Sequence, residues 1–304
     1  MMLSACAAVP DALQMQDITI AGDRVHPESI TSDAAGNLYV SSIPGTIYRA
    51  LAGDTVAQPW ITPDGENGLE SLFGVLADER HSLLWTCSNP NMFAPGGAGG
   101  GSRVVAFTLP DGAFHSSYPF PDGPAACNDI AVEDSGAIFV TDTAAGRIFR
   151  IARPGAPLDL FAAGENLVGV DGIAFAGNGT LFINNVRSNK VQRVERSGQG
   201  AYAGLTDLAL SEPVSGPDGL RPLGGNLFLQ AEGSGNRVTL VEIDGDSATI
   251  TPVRTGLDSA PGVTRVGRVA YATEGKIGYL IDPELRGQDP GVFTIRAFLL
   301  PEGS

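Results

Sequence analysis

The sequence predicts an all-β protein, a six-bladed β-propeller with four-stranded antiparallel blades around a central channel. Three observations carry this. A strand-turn-strand unit recurs along the chain at the spacing of a propeller blade. The 304 residues include 40 Gly and 21 Pro, too many breakers for a helical protein and suited to short strands joined by tight turns. Apolar residues come in short runs bounded by turn residues, and no run reaches the length of a membrane span.

The first unit reads Pro27-Glu28-Ser29-Ile30, a turn at 33–37, Leu38-Tyr39-Val40-Ser41-Ser42, then Thr46-Ile47-Tyr48-Arg49. The second is degenerate, from Phe73-Gly74-Val75 through Leu83-Leu84-Trp85-Thr86-Cys87. The third reads Cys127-Asn128-Asp129-Ile130, Ile138-Phe139-Val140-Thr141-Asp142, Arg147-Ile148-Phe149-Arg150. The fourth reads Val170-Asp171-Gly172-Ile173, Leu181-Phe182-Ile183-Asn184-Asn185, Lys190-Val191-Gln192-Arg193. The fifth reads Pro217-Asp218-Gly219-Leu220, Leu227-Phe228-Leu229-Gln230, Arg237-Val238-Thr239-Leu240. The sixth, again degenerate, runs from Pro261-Gly262-Val263 through Val269-Ala270-Tyr271-Ala272-Thr273.

The apolar anchors are Ile30, Val75, Ile130, Ile173, Leu220 and Val263, spaced roughly 45 residues apart with one gap of about 55. Fourth strands are expected at 58–62, 114–120, 158–163, 202–210 and 248–254. Either 18–21 or 292–299 is expected to complete the last blade and close the ring, which removes exposed sheet edges. Residues 1–17 read as a residual signal segment and linker, and 18–304 as a single domain. The long gap holds a Gly-rich loop within 88–102. No Lys-Ser/Thr and helix follow it, so a phosphate loop is not indicated. A flexible connection, or a lid if it lies on the ligand face, is the expectation.

Lys+Arg 19 against Asp+Glu 34 gives a formal net charge of -15, which argues against nucleic acid or an anionic membrane surface as partner. Leu3-Ser4-Ala5-Cys6 matches a lipobox, so a lipid anchor at Cys6 and a periplasmic or membrane-tethered location are expected, with a cytoplasmic protein as the alternative. Cys87 and Cys127 are placed at one face of adjacent blades, where a disulfide is allowed; two small buried thiols are the other reading.

The first strand of each blade lines the channel. The position two before each anchor is Glu28, Phe73, Asn128, Asp171, Asp218 and Pro261. Three carboxylates and an amide gathered there would repel and call for a cation. Hard oxygen donors without His or Cys favour Ca²⁺, with Mg²⁺, Mn²⁺ or Zn²⁺ as alternatives. Asp171-Gly172 and Asp218-Gly219 could instead be plain turns. Glu28 and Asn128 lack that context, and the shared repeat phase favours a metal site.

These units resemble the gluconolactonase, senescence marker protein (regucalcin) and luciferin-regenerating-enzyme family, with its paraoxonase relatives. The resemblance runs from Glu28 to the last blade, and Cys127-Asn128-Asp129-Ile130 is similar to the paraoxonase Asn-Asp-Ile segment. It implies a divalent metal in the channel mouth, held by Glu28, Asn128, Asp171 and Asp218. Asp171 departs from the family's Asn, which should tighten metal binding and weaken activation of a carbonyl. The resemblance also implies hydrolysis of a lactone or small ester, in which a bound cation polarises the carbonyl and activates water. Asp218 is the first choice for proton acceptor, followed by Asp171, Asp129 and Asp142. Strand alternation allows only one of Asn128 and Asp129 to face the ion, and Asn128 is preferred. Asn185, at the end of the second strand of its blade, is expected to orient substrate. Phe73, Met92 and Phe93 are expected as an apolar substrate wall, and Trp85 as core.

His26 is a candidate proton shuttle at the rim, His81 a solvated turn residue and His115 a surface residue. No nucleophilic triad stands out. A non-catalytic propeller binding a protein or small ligand is the alternative function. A strictosidine-synthase-like lyase is a third reading, which the carboxylate set counts against because that family does not need the metal.

Overall fold

The computed structural model describes residues 15–91, 101–121 and 123–304. The lipobox, Met92, Phe93 and most of the Gly-rich loop lie outside the described residues. Strand is nearly the only regular secondary structure of the described residues, beside one four-residue helix, Gly278–Ile281, and one 3-10 turn, Glu165–Leu167. None of its helices is long and apolar enough to cross a membrane.

The strands are β1 (Ile18–Ile20), β2 (Pro27–Ser32), β3 (Leu38–Ser42), β4 (Ile47–Ala50) and β5 (Val56–Ile61). There follow β6 (Ser71–Asp78), β7 (Leu83–Asn89), β8 (Arg103–Thr108) and β9 (Phe114–Pro119), then β10 (Cys127–Val132), β11 (Ile138–Asp142), β12 (Arg147–Ile151) and β13 (Leu158–Ala163). Next come β14 (Val170–Phe175), β15 (Leu181–Asn185), β16 (Lys190–Arg196), β17 (Tyr202–Asp207) and β18 (Ala209–Leu210). The last are β19 (Pro217–Gly224), β20 (Leu227–Glu232), β21 (Arg237–Asp244), β22 (Ser247–Thr255), β23 (Val263–Val266), β24 (Val269–Thr273) and β25 (Phe293–Leu299).

Hydrogen bonding joins β6 to β9, β10 to β13, and β14 to β17 as meanders, and β18 extends the β19–β22 meander at its outer edge. One larger sheet runs β2-β3-β4-β5-β1-β25-β24-β23. Both terminal candidates are used here. β25 is the third strand of the last set and β1 its fourth, with Thr19 paired to Thr294. On its other side β1 pairs in parallel with β5, so the outer edges of the first and last sets are bonded to each other.

Burial follows position within a set. The second strands β3, β11, β15 and β24 are buried at every residue because sheets cover both of their faces. Outer strands such as β9 and β13 are largely exposed. Apolar clusters lie between successive sets. One packs Trp85, Val104 and Tyr118 against Ile130, Val140 and Phe149, and another packs Ala174 and Phe182 against Leu220 and Phe228. Ile20, Val40 and Tyr48 pack with Tyr271, Phe293 and Ile295, which carries the same packing from the last set to the first. The fold is all-β and of the propeller type.

Candidate functional site

The inner strands share a local irregularity that builds the site. β2, β6, β10, β14 and β19 each shift register near their start, between Pro27 and Ile30, Leu72 and Val75, Cys127 and Ile130, Val170 and Ile173, and Pro217 and Leu220. A bulge of this kind breaks strict alternation and re-aims side chains. Glu28, Asn128, Asp171 and Asp218 all lie within these bulges. Asp171-Gly172 and Asp218-Gly219 are therefore strand residues and not turns. Their glycines answer a close approach: a Cβ on Gly172 would lie 2.2 Å from the Asp218 carbonyl oxygen, and one on Gly219 would lie 2.9 Å from that of Pro261.

The structure brings the four slot residues into one electrostatic group. The Asn128 amide donates to Asp171 Oδ2 at 2.9 Å and to Thr143 Oγ1 at 2.9 Å. Burial holds the Glu28 carboxyl well above the usual range, and the charges of Asp171 and Asp129 raise it further. Burial, then Asp171 and Glu28, raise Asp218 likewise. Asp171 is pushed up to about 7 by burial and by Asp129, against the lowering effect of hydrogen bonds from Asp218 and Asn128. The proximity of the two aspartates raises Asp218 and lowers Asp171. Asp171 Oδ1 is buried without a hydrogen-bond donor among the described residues.

Asp129 also faces the channel, because the bulge lets both residues of the Asn128-Asp129 pair turn inward. Its carboxylate grips Arg221 with Oδ2 to Nη1 at 2.8 Å and Oδ1 to Nη2 at 2.9 Å, and accepts from the Ile173 amide at 3.1 Å. Arg221 Nη2 reaches on to Ser29 Oγ at 3.3 Å. This buried guanidinium thus links three inner strands across the channel. Its fork is committed to Asp129, so among the described residues its charge lowers Glu28 and Asp171 from a distance and none of Glu28, Asp171 and Asp218 has an ion-pair partner in contact. Sequence reasoning missed Arg221. The signal was present: one residue past each anchor stand Thr31, Leu76, Ala131, Ala174, Arg221 and Thr264, and only one of these is charged.

The donor chemistry fits a hard divalent cation: carboxylates and an amide, one carboxylate oxygen unpartnered, and mutual repulsion that an ion would relieve. Among the described residues, no three His, Cys, Asp or Glu side chains stand ready-made at chelating distance.

Other expected residues are placed elsewhere. Asp142 does not join the four. Its Oδ1 accepts from the Ala126 amide at 2.9 Å and its Oδ2 from Arg147 at 2.7 Å, so the carboxylate clamps its own hairpin to the preceding loop. Asn185 does the same by accepting from the Arg187 and Ser188 amides and donating to the Val168 carbonyl. It borders an open cleft of about 990 Å³ whose lining includes none of the four slot residues. Phe73 is half-buried and packs on the cluster of Cys87, Cys127 and Ile130. His26 is buried against Phe293 instead of opening to the rim, with Nδ1 3.1 Å from the Gly275 carbonyl oxygen. His81 is not simply solvated, since its Nδ1 lies 2.6 Å from Asp78 Oδ2. His115 is exposed, and Trp85 is fully buried. Cys87 and Cys127 form a disulfide, directly beside Asn128.

Residues 11–50 match the family described as strictosidine synthase-like, N-terminal, a stretch that includes Glu28. A search of curated proteins finds no match. Among solved structures, a luciferin-regenerating enzyme shares 12% identity with a TM-score of 0.66, covering 93% of this chain and 95% of that one. A gluconolactonase from Xanthomonas campestris shares 15% with a TM-score of 0.64, covering 95% and 94%. A virginiamycin B lyase from Staphylococcus aureus shares 14% with a TM-score of 0.61, covering 94% and 99%. At such identities the likeness is one of fold.

Proposed function

We propose that the protein is a metal-dependent hydrolase that opens a lactone or small ester at the channel mouth. The observation that carries this reading is the gathering of Glu28, Asn128, Asp171 and Asp218 at the bulges of four inner strands, with Asn128 bonded to Asp171 at 2.9 Å and the Arg221 fork taken by Asp129. Glu28, Asn128, Asp171 and Asp218 would hold the cation, Ca²⁺ by donor type. When bound, it supplies charge that polarises the substrate carbonyl. Asp218 is the least covered of the carboxylates and is assigned as proton acceptor. Water adds to the carbonyl carbon as Asp218 takes its proton, the acyl–oxygen bond breaks, and the leaving alkoxide is protonated in turn. The neighbours that are a gluconolactonase and a luciferin-regenerating enzyme support this class.

The same reading counts the blades as six. The eight-stranded sheet is two blades, because its parallel β1–β5 junction joins two outer edges whose inner strands are β2 and β23. The Cys87–Cys127 bridge supports an oxidising compartment such as the periplasm.

A second reading, a lyase, is favoured by the strictosidine synthase-like match and by the virginiamycin B lyase neighbour. One experiment separates the two. An aldonolactone, an aliphatic lactone and an aryl ester are incubated in heavy-oxygen water before and after chelation. Hydrolysis places solvent oxygen in the acid product, and chelation together with Asp218→Ala abolishes it. Product formed without solvent oxygen, or turnover indifferent to chelator, would overturn the hydrolase assignment.

A further inference from the structure

A polar side chain near the end of the second strand recurs as a bridge between neighbouring blades. Thr141 Oγ1 accepts from the Asp129 amide at 2.8 Å and donates to the Asp171 carbonyl oxygen at 2.8 Å. Asn184 Oδ1 accepts from the Gly172 amide at 2.7 Å, and its Nδ2 donates to the Asp218 carbonyl oxygen at 2.5 Å. Ser41 repeats the pattern, accepting from the Ser29 amide at 3.0 Å and donating to the Phe73 carbonyl. Each side chain therefore ties the bulge of its own blade to the slot residue of the next. Thr141 and Asn184 have no exposed surface, so no water competes for these bonds.

We propose that Thr141 and Asn184 are positioning residues of the channel site, setting the backbone, and so the carboxylate direction, of Asp171 and Asp218. The inference rests on the metal reading above and adds to it the device that holds the ligands in place. The two bridges are continuous: Asp129 through Thr141 to Asp171, then Gly172 through Asn184 to Asp218. Ligand groups need fixing to a fraction of an ångström for tight coordination, and outer partners of metal ligands commonly govern affinity. A carbonyl anchored from the preceding blade fixes its peptide plane at the bulge, where ladder hydrogen bonds are interrupted. The choice of Ser, Thr or Asn follows from the need for one group that both accepts and donates.

Thr273 supplies the control. Its Oγ1 accepts from the Gly262 amide at 3.0 Å and faces the Gly262 carbonyl oxygen at 3.3 Å, so both contacts stay within one blade and reach no slot carbonyl. Ca²⁺ alone is titrated calorimetrically into metal-stripped wild type, Thr141→Ala, Thr141→Ser, Asn184→Ala and Thr273→Ala, with melting temperatures taken in parallel. Amide exchange at Asp129 and Gly172 is followed in the metal-free proteins. Thr141→Ala and Asn184→Ala are expected to weaken Ca²⁺ about ten- to hundredfold. Thr141→Ser restores affinity, and Thr273→Ala loses melting temperature with its affinity kept. Exchange at Asp129 quickens in Thr141→Ala and at Gly172 in Asn184→Ala. Unchanged affinity in both bridge variants, or an equal loss in Thr273→Ala, overturns the proposal. A wild type that binds no Ca²⁺ overturns the metal reading, and the exchange data then decide the bridges alone.

Discussion

Asp171 is the residue on which the chemistry of the site turns. Its pKa, about 7 in the folded chain against an ordinary value near 4, means that the metal-free fold binds an extra proton across that interval. The stability that Asp171 contributes without metal is thus full at the acid end and is lost as pH rises from about 4 to about 7, and the raised carboxyls of Glu28 and Asp218 act in the same direction. Bound Ca²⁺ selects the ionised carboxylates, so its stabilisation grows over the same range. Melting curves at pH 5 and pH 8, with chelator and with Ca²⁺, check both signs; a chelated protein more stable at pH 8 contradicts them. Asp142 behaves differently, because Arg147 and a backbone amide already hold it. Asp142→Asn is expected to cost about 3 kcal/mol, as for one partner removed from a buried pair, while kcat/KM of the folded protein is kept. The slot residues were legible because they share a repeat phase. Asp142 and Asn185 share a phase too, but sequence does not tell a hairpin clamp from a substrate contact. Arg221 was hidden because its importance comes from meeting Asp129 across the channel, a contact of long sequence separation.

At the scale of elements, the inner strand β10 carries both a proposed metal ligand and a covalent tie. Cys127 is bonded to Cys87 of β7, and its backbone amide and carbonyl are both paired with the Asn89 side chain at 2.8 Å. The start of β10 is therefore fixed to the preceding set before Asn128 enters the channel. Closing a loop over a sequence separation of 40 stabilises by about 2–4 kcal/mol, chiefly by restricting the unfolded chain. The Cys87→Ala, Cys127→Ala double variant is expected to lose that amount in denaturant unfolding, with a larger m-value because the unfolded chain without the crosslink exposes more surface. The disulfide was open from sequence because both cysteines fall at matching strand ends, yet buried thiols satisfied the same pattern. Alternation along β10 misled in one respect. The bulge between Cys127 and Ile130 turns Asp129 inward together with Asn128, and no residue type in that stretch announces it.

The whole molecule depends on closure. The first and last sets meet through β1, which lends its antiparallel edge to β25 and its parallel edge to β5. The Thr19 amide donates to the Thr55 carbonyl at 3.0 Å across that parallel edge. Thr19→Pro removes this donor and is expected to cost about 3 kcal/mol and to promote association through the freed edges. Size-exclusion chromatography and melting show both, and a monomer of wild-type stability argues against closure through β1. The repeat made the architecture legible from about residue 27 onward, since every inner strand bears the same apolar anchor. It left open which terminal segment closes the ring, because pairing between the two ends of a chain leaves no local pattern. In the proposed enzyme the ring gathers Glu28, Asn128, Asp171 and Asp218 around one cation. Calorimetric titration of Ca²⁺ into the metal-stripped protein tests it most directly. One equivalent bound, and none in Asp218→Ala, is the predicted result; no binding in the wild-type protein, or binding that survives Asp218→Ala unchanged, would contradict it.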